Sequence, residues 1–463
     1  MFYSSTKELV LALKGGLEIS EDGRIDMVNE GVFRERLDDL VHNAVFNENE
    51  DIKAASKWII REAALKLGLI PSSIQGFYRA KGRGEYSHLT VPAVNIRGLA
   101  YDVACALVRA AMKNDSASFI FELARSEMEY THQPPSEYAS VVMAAALREG
   151  YSGPIFIQGD HFQIRRKLDR RSEIATLKDL IRESIEAGFY NIDIDTSTLV
   201  DLERPTVREQ QRDNFEIAGE IVAYIRTIEP KGITVSCGGE IGEIGGKNST
   251  EEELRAYLDG LKEELAKRDE GLVGISKIAI QTGTTHGGVV LPDGTIAKVK
   301  LDFDTLTRLS NVAIQEYGLA GAVQHGASTL PAEAFSKFAE ANTTEVHLAT
   351  EYQNMIYESE LFPKDLREKM YSHLHKECAK ERKEGETDEQ FIYKTRKKAW
   401  GPFKEQVWNI PKEAREEISR RLEETFDLLL KRLGAANTRE AVNKEVKPIP
   451  VHKPIPESLR EAI

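Results

Sequence analysis

The sequence predicts an α/β chain folded as a closed (β/α)8, or TIM, barrel with extra helices at both ends. Two observations predict it. Between residues 91 and 351, short apolar runs alternate with longer amphipathic segments, as β/α units on a parallel sheet do. Eight such runs are present, the strand number of the closed barrel, whereas doubly wound sheets more often have about five to seven. A chain of 463 residues is long for one domain, but a barrel alone takes roughly 250 residues, which leaves the ends for additions.

Residues 1–90 read as a mostly helical extension. STKELVLALKGG opens with Ser/Thr, has Glu8 three residues after Ser5, and stops at glycine. EDIKAASKWIIREAALKLGLI has apolar residues at helical spacing and ends at Gly68, before Pro71. SSIQGFYRAKGRGEYSH reads as a loop rich in glycine and basic residues, with connector, lid and subunit contact all open. The barrel follows over 91–351. Its strands are expected at 91–96, 118–124, 154–159, 191–195, 233–238, 277–282, 321–325 and 345–349, with helical stretches such as GLAYDVACALVRAAMKN and RDNFEIAGEIVAYIRTI between them. Residues 352–463 are polar and helical. KECAKERKEGETDEQ reads as a solvated charge run. PKEAREEISRRLEETFDLLLKRLGAAN is an amphipathic helix whose face of Ile418, Leu422, Phe426, Leu429 and Leu430 must pack on the barrel or on a second subunit. A homodimer or homotetramer is therefore expected.

The net charge of -13, with both signs interspersed, argues against nucleic acid and anionic lipid as partners, though a local basic pocket still admits a small anion. Three widely spaced cysteines, Cys105, Cys237 and Cys378, make neither a disulfide framework nor a zinc knuckle. The N-terminal apolar run is short and broken by Lys14, and no long apolar stretch follows, so neither a signal peptide nor a membrane span is expected. The cytoplasm is the expected compartment.

In a barrel, functional side chains sit where strands end and loops begin. The first strand ends in Asn95, the third leads to Asp160-His161, and the fourth holds Asp193 and ends in Asp195. The fifth runs to Glu240, the sixth to Thr284-Thr285-His286-Gly287, the seventh to His325-Gly326-Ala327-Ser328, and the eighth to Thr350-Glu351. Of ten histidines, His161, His286 and His325 fall at strand ends, and three convergent imidazoles suit zinc (Zn2+) or another divalent cation with an open position. Asp195 is a candidate to orient one of these rings through its second nitrogen. His347 lies within the last strand, where pocket lining and packing are both open. The glycine-rich segments GEIGG, HGG and HGAS let backbone approach a ligand, and the loops after the last two strands are where barrels commonly hold phosphate, with Ser328 and Thr350 as added donors.

PAVN, GDH, IDIDTS, EIGEIGG, TGTTHGG, VKLDFDTL, VQHGAS and HLATE follow one another in the order found in class II, metal-dependent ketose-bisphosphate aldolases, and the chain resembles that family from about Val91 to Glu351. The resemblance implies aldol cleavage of a small phosphorylated sugar, most simply fructose 1,6-bisphosphate to dihydroxyacetone phosphate and glyceraldehyde 3-phosphate. It implies Asp160 as the catalytic acid–base and His161, His286 and His325 as metal ligands, with Glu240 a carboxylate that contacts the metal in some states. It also implies that Gly287, Gly326, Ala327, Ser328 and Thr350 hold the substrate phosphate and a monovalent cation, and that Asn95 touches substrate. The chain departs from the family in three places. Lys247-Asn248 follows Gly245-Gly246 where the family has an acid pair, which leaves the proton shuttle to Glu243, Glu251 or Glu252. Arg125 follows Ala124 where a phosphate-binding serine is usual, and it forms either an anion contact or a surface ion pair. His347 replaces an asparagine. Two alternatives follow: an aldolase or transaldolase acting on another phosphorylated or sulfonated ketose, and a non-catalytic aldolase-like subunit.

Overall fold

The structure is a computed structural model that describes residues 1–166, 169–242, 247–283, 291 and 301–463. It opens with helix Thr6–Leu13, capped by the Ser5 side chain, and a two-stranded antiparallel hairpin, β1 (Leu17–Ile19) and β2 (Ile25–Met27). Helices Glu30–Phe46 and Glu50–Lys66 follow, and then β3 (Leu69–Pro71). The extension is mostly helical, as expected, with three short strands added to it. The hairpin escaped because its strands have three residues each, too few for a period-two pattern to register. β3 was hidden in the tail of a helical segment.

The expected loop at 72–88 is corrected. Gln75–Gly82 is a helix that buries Phe77, Tyr78 and Ala80. Gly76 is there for close approach, since a Cβ on it would sit 2.2 Å from the Glu445 carbonyl oxygen.

The barrel strands are β4 (Val91–Asn95), β5 (Ile120–Ala124), β6 (Gly153–Gln163), β7 (Asn191–Asp195), β8 (Ser236–Glu240), β9 (Lys277–Ile280), β10 (Ala322–Gln324) and β11 (Glu345–Leu348). Each is parallel to the next, and β11 pairs with β4, so the sheet closes. β3 adds to the outside of the ring by pairing with the start of β6 through Leu69↔Gly153. All eight expected barrel strands are present. β8 starts three residues later than its apolar run, so Glu240 is its last residue.

Helix Lys412–Arg432 buries Ile418, Leu422, Phe426, Leu429 and Leu430 against the chain's own barrel. Phe426 lies 4.7 Å from Tyr352 between ring centres, and Glu423 accepts from Arg109 Nε at 2.6 Å. Because its apolar face is covered within the chain, this helix no longer argues for a partner subunit. All three cysteines are free and buried. Among the described residues, no helix is long and apolar enough to cross a membrane.

The lower barrel is polar. Lys277 Nζ meets Gln158 Oε1 at 2.8 Å, Asp193 Oδ1 at 2.9 Å and the Glu345 carboxylate, and Tyr78 plugs the barrel's base by donating its hydroxyl to Glu345. A buried cation with this many acceptors is tolerable, whereas one left alone would not be. Burial would raise Glu345, but Lys277 and His347 hold it down to about 2.

Candidate metal and catalytic site at the barrel mouth

β6 builds the centre of the site through an irregularity. The register to β7 shifts between Gly159 and Phe162, and within that bulge His161 takes φ 40°, a left-handed backbone rarely adopted outside glycine. Asp160 and His161 thereby both turn toward the mouth, and strain of this kind persists where the surroundings hold it in place.

The Asp160 carboxylate is held from two sides. Asn95 Nδ2 donates to Oδ2 at 2.9 Å, and His347 Nδ1 lies 3.1 Å from Oδ1. Asn95 is itself fixed, since Nδ2 also reaches Glu127 Oε2 at 2.7 Å. Burial alone would raise Asp160, but His161 and His347 outweigh it and keep the carboxyl well below its ordinary range. Asp160 is thus an ionised base waiting for a proton.

His161 Nδ1 lies 3.2 Å from both Asp195 Oδ2 and Glu240 Oε2. Two carboxylates there put the proton on Nδ1 and turn Nε2, 3.8 Å from Asp160 Oδ1, toward the mouth as the nitrogen that could ligate a cation. Asp195 is fixed in turn by Gln163 Nε2 at 2.6 Å and Ser197 Oγ at 2.7 Å. The ring of His325, which follows β10, lies 4.1 Å from that of His161 and 4.2 Å from that of His347.

Donor atoms of Asp160, His161 and His325 all lie within 4.8 Å of one another, and so do those of His161, Asp195 and Glu240. Two imidazoles with several carboxylates form a donor set that suits a divalent cation. The electrostatics agree. Burial disfavours a charged His161, yet Asp160 and Glu240 raise it well above its ordinary value, and a field that stabilises a proton there stabilises a cation too. Burial and Asp195 push Glu240 up to about 7.

These residues open into a cavity of about 430 Å³, within the range of small-molecule sites. Of the residues expected at the site, Asn95, Arg125, Asp160, His161, Asp195, Glu240, His325, Gly326, Ser328 and Thr350 line it. Ala327 is fully buried and is not among the lining residues. His286 and Gly287 lie outside the described residues, as does Glu243.

Arg125 lines the cavity, and its ion pair is a buried one rather than a surface one, with Nη1 on the Gln163 carbonyl at 2.7 Å and on the Glu173 carboxylate. One expectation is corrected. Glu251 and Glu252 do not line the cavity; they open helix Glu251–Arg268, and Glu251 pairs with Arg255 at 3.0 Å and Arg308 at 3.2 Å. Sequence reasoning missed Arg97, Glu127, Tyr130, Arg165 and Lys397, which also line the cavity. Arg97 stands two residues past a strand end and was findable by the rule that located Asn95. Lys397 sits in a charge-rich stretch with no such signal.

A closed parallel barrel with an imidazole–carboxylate cluster at the carboxyl ends of its strands is the architecture of barrel enzymes. The sequence model of the family described as Fructose-bisphosphate aldolase class-II matches residues 83–432, and the chain belongs to that family, whose members are lyases generally dependent on a divalent metal. The fructose-bisphosphate aldolase of Giardia intestinalis is 24% identical over 213 residues, 46% of this chain and 53% of the relative, so the chain spans about half the length of the curated relative it matches. A probable tagatose 6 phosphate kinase from Sinorhizobium meliloti superposes with TM-score 0.51 at 16% identity, over 81% of this chain and 97% of that one. A glycerol-bound fructuronate-tagaturonate epimerase from Cohnella laeviribosi gives TM-score 0.53 at 13% identity, over 91% and 90%. At those identities the likeness shows the barrel alone.

Proposed function

We propose that the protein catalyses reversible aldol cleavage of a phosphorylated ketose, most simply fructose 1,6-bisphosphate, with a divalent metal, zinc by preference, at the barrel mouth. The observation that carries this reading is the convergence of Asp160, His161 and His325 donor atoms within 4.8 Å. His161 and His325 would hold the cation, with Glu240 beside them and His286 as the third imidazole. When bound, the cation polarises the ketone oxygen and stabilises the enediolate left by C–C cleavage.

The chain's own residues would bind the substrate and move the proton of its C4 hydroxyl. Asp160, ionised and fixed by Asn95 and His347, takes the proton from the C4 hydroxyl in cleavage and returns it to the aldehyde oxygen in condensation. Gly326, Ser328 and Thr350 would supply backbone and hydroxyl donors for a substrate phosphate, with a monovalent cation beside it. The ketone needs no lysine Schiff base, because the bound cation would take up the negative charge that develops on its oxygen. We infer a cytoplasmic enzyme, in keeping with three free buried thiols.

A different phosphorylated or sulfonated ketose is the reading that Arg125 first suggested, and the Arg125–Glu173 pair weakens it. An intact base with two intact imidazoles argues against a non-catalytic subunit. Cleavage of fructose 1,6-bisphosphate, followed by the release of glyceraldehyde 3-phosphate, is the test. Turnover supports the assignment, and inertness toward a panel of phosphorylated and sulfonated ketoses refutes it.

A further inference from the structure

A second cavity, of about 670 Å³, opens between the added helices and the barrel and shares no lining residue with the one at the mouth. Its walls come from four helices, Glu30–Phe46, Ala100–Lys113, Pro135–Glu149 and Lys412–Arg432. Its size is within the range of small-molecule sites. Acidic and basic side chains line it together, so its field favours neither a strong anion nor a strong cation.

Several of those charges are already matched. Arg109 gives Nε to Glu423 Oε2 at 2.6 Å, Nη1 to Glu149 Oε1 at 2.9 Å and Nη2 to Ser419 Oγ at 2.8 Å. Asp38 Oδ1 accepts the Tyr101 hydroxyl at 2.9 Å and lies 3.4 Å from Arg148 Nε. Asp102 and Arg415 are matched poorly. They meet at 3.5 Å, longer than a charge-assisted hydrogen bond of about 2.7–2.9 Å, and the buried Nε of Arg415 has no hydrogen-bond partner among the described residues. Burial pushes the Asp102 carboxyl up, and Arg415 offsets that only in part. Two neighbouring opposite charges that satisfy each other poorly suit a molecule that carries both signs. An ammonium relieves the carboxylate, and a carboxylate takes up the guanidinium N–H groups. Beside them the rings of Tyr101 and Trp408 lie nearly parallel, at 16° with centres 6.3 Å apart, and His42 joins the same lining. These rings form an aromatic wall for a planar side chain.

We propose that this cavity is a second ligand site, for an α-amino acid with an aromatic side chain, its ammonium on Asp102, its carboxylate on Arg415 and its ring against Tyr101 and Trp408. The site is separate from the aldol chemistry and does not rest on the aldolase reading. Its ligand ties the N-terminal extension and the C-terminal helix to the first helix of the barrel, and so adds to the stability of the folded chain.

The test is calorimetric titration of the full-length protein with L-tryptophan and L-phenylalanine. At least one should bind with a dissociation constant below about 1 mM, and saturating ligand should raise the denaturation midpoint. The same amino acid with its amine acetylated, or with its carboxylate converted to the amide, should bind weaker by about tenfold or more, and L-alanine, which has no ring, should not bind. D102N and R415M should each weaken binding by about tenfold or more, while H325A, altered at the mouth, should bind as the wild type does. The analogue series needs no variant, so it decides the matter even where a substitution harms folding. Ketose cleavage without amino-acid binding would overturn this site and leave the aldolase reading standing. So would equal binding of the acetylated or amidated form, or binding that is lost in H325A and kept in D102N and R415M.

Discussion

His347 bridges Asp160 to the charged floor of the barrel: its Nδ1 lies 3.1 Å from Asp160 Oδ1 and its Nε2 lies 2.9 Å from Glu345 Oε2. Glu345 in turn shares Lys277 with Asp193. The base of the proposed reaction is thus oriented by a chain that runs through the barrel interior and ends at the Tyr78 plug. An H347A variant should lower kcat about 10- to 100-fold with little change in KM and full metal content, because orientation of the base is lost while binding groups remain. H347N, able to donate to Asp160 but not to bridge to Glu345, should fall between wild type and H347A. Equal kcat for all three would remove His347 from the positioning role.

Asp160 is asked to move the proton itself. Replacing it with asparagine should cost roughly 100- to 10,000-fold in kcat, the range for loss of a general acid–base, while zinc stays bound. Steady-state kinetics with metal analysis of the same sample would decide this. A variant with more than a tenth of wild-type kcat would exclude the role.

Metal ligation makes a separable claim. H161A and H325A should each lose stoichiometric zinc on dialysis, because each removes an imidazole from a small donor set. H286A should do the same if the third imidazole joins them. Glu240 would stand beside the imidazoles, so E240Q should hold zinc less tightly than wild type but more tightly than H161A or H325A. Zinc retained at wild-type affinity in H325A would count against the site.

Away from the site, Asp102 sets a pH dependence of stability. Burial raises its carboxyl to about 6, with Arg415 Nη1 at 3.5 Å only partly offsetting the effect. In the unfolded chain the group ionises near its ordinary value, so between about pH 4 and 6 the folded state holds the extra proton. Stability therefore falls as pH rises through that window, by up to about 3 kcal/mol before screening and relaxation. D102N removes the titration. The difference in denaturation midpoint between D102N and wild type should shift in favour of D102N from pH 4 to pH 8. A difference that does not change with pH would contradict the burial argument.

The strands of the barrel were legible because each is a buried apolar run in a parallel sheet, bounded by polar residues at its carboxyl end. Those same boundaries exposed Asn95, Asp160, His161, Asp195, Glu240 and His325, and the resemblance supplied their roles. The burial of the Arg125 ion pair was not legible because local sequence does not show Glu173 arriving from 48 residues away. The helix at Gln75–Gly82 was obscured by glycines whose reason lies elsewhere: Gly76 makes room for the Glu445 carbonyl and Gly82 for that of Gly318. Lys397 could not be found in sequence at all. Its place at the mouth depends on Trp400 docking against Gly98, a contact between residues some 300 positions apart.

The most direct measurement is the rate of glyceraldehyde 3-phosphate release from fructose 1,6-bisphosphate by the purified protein, before chelation, after exhaustive chelation, and after zinc is restored. The account predicts turnover that vanishes with the metal and returns with it. Turnover that survives complete removal of metal would contradict it.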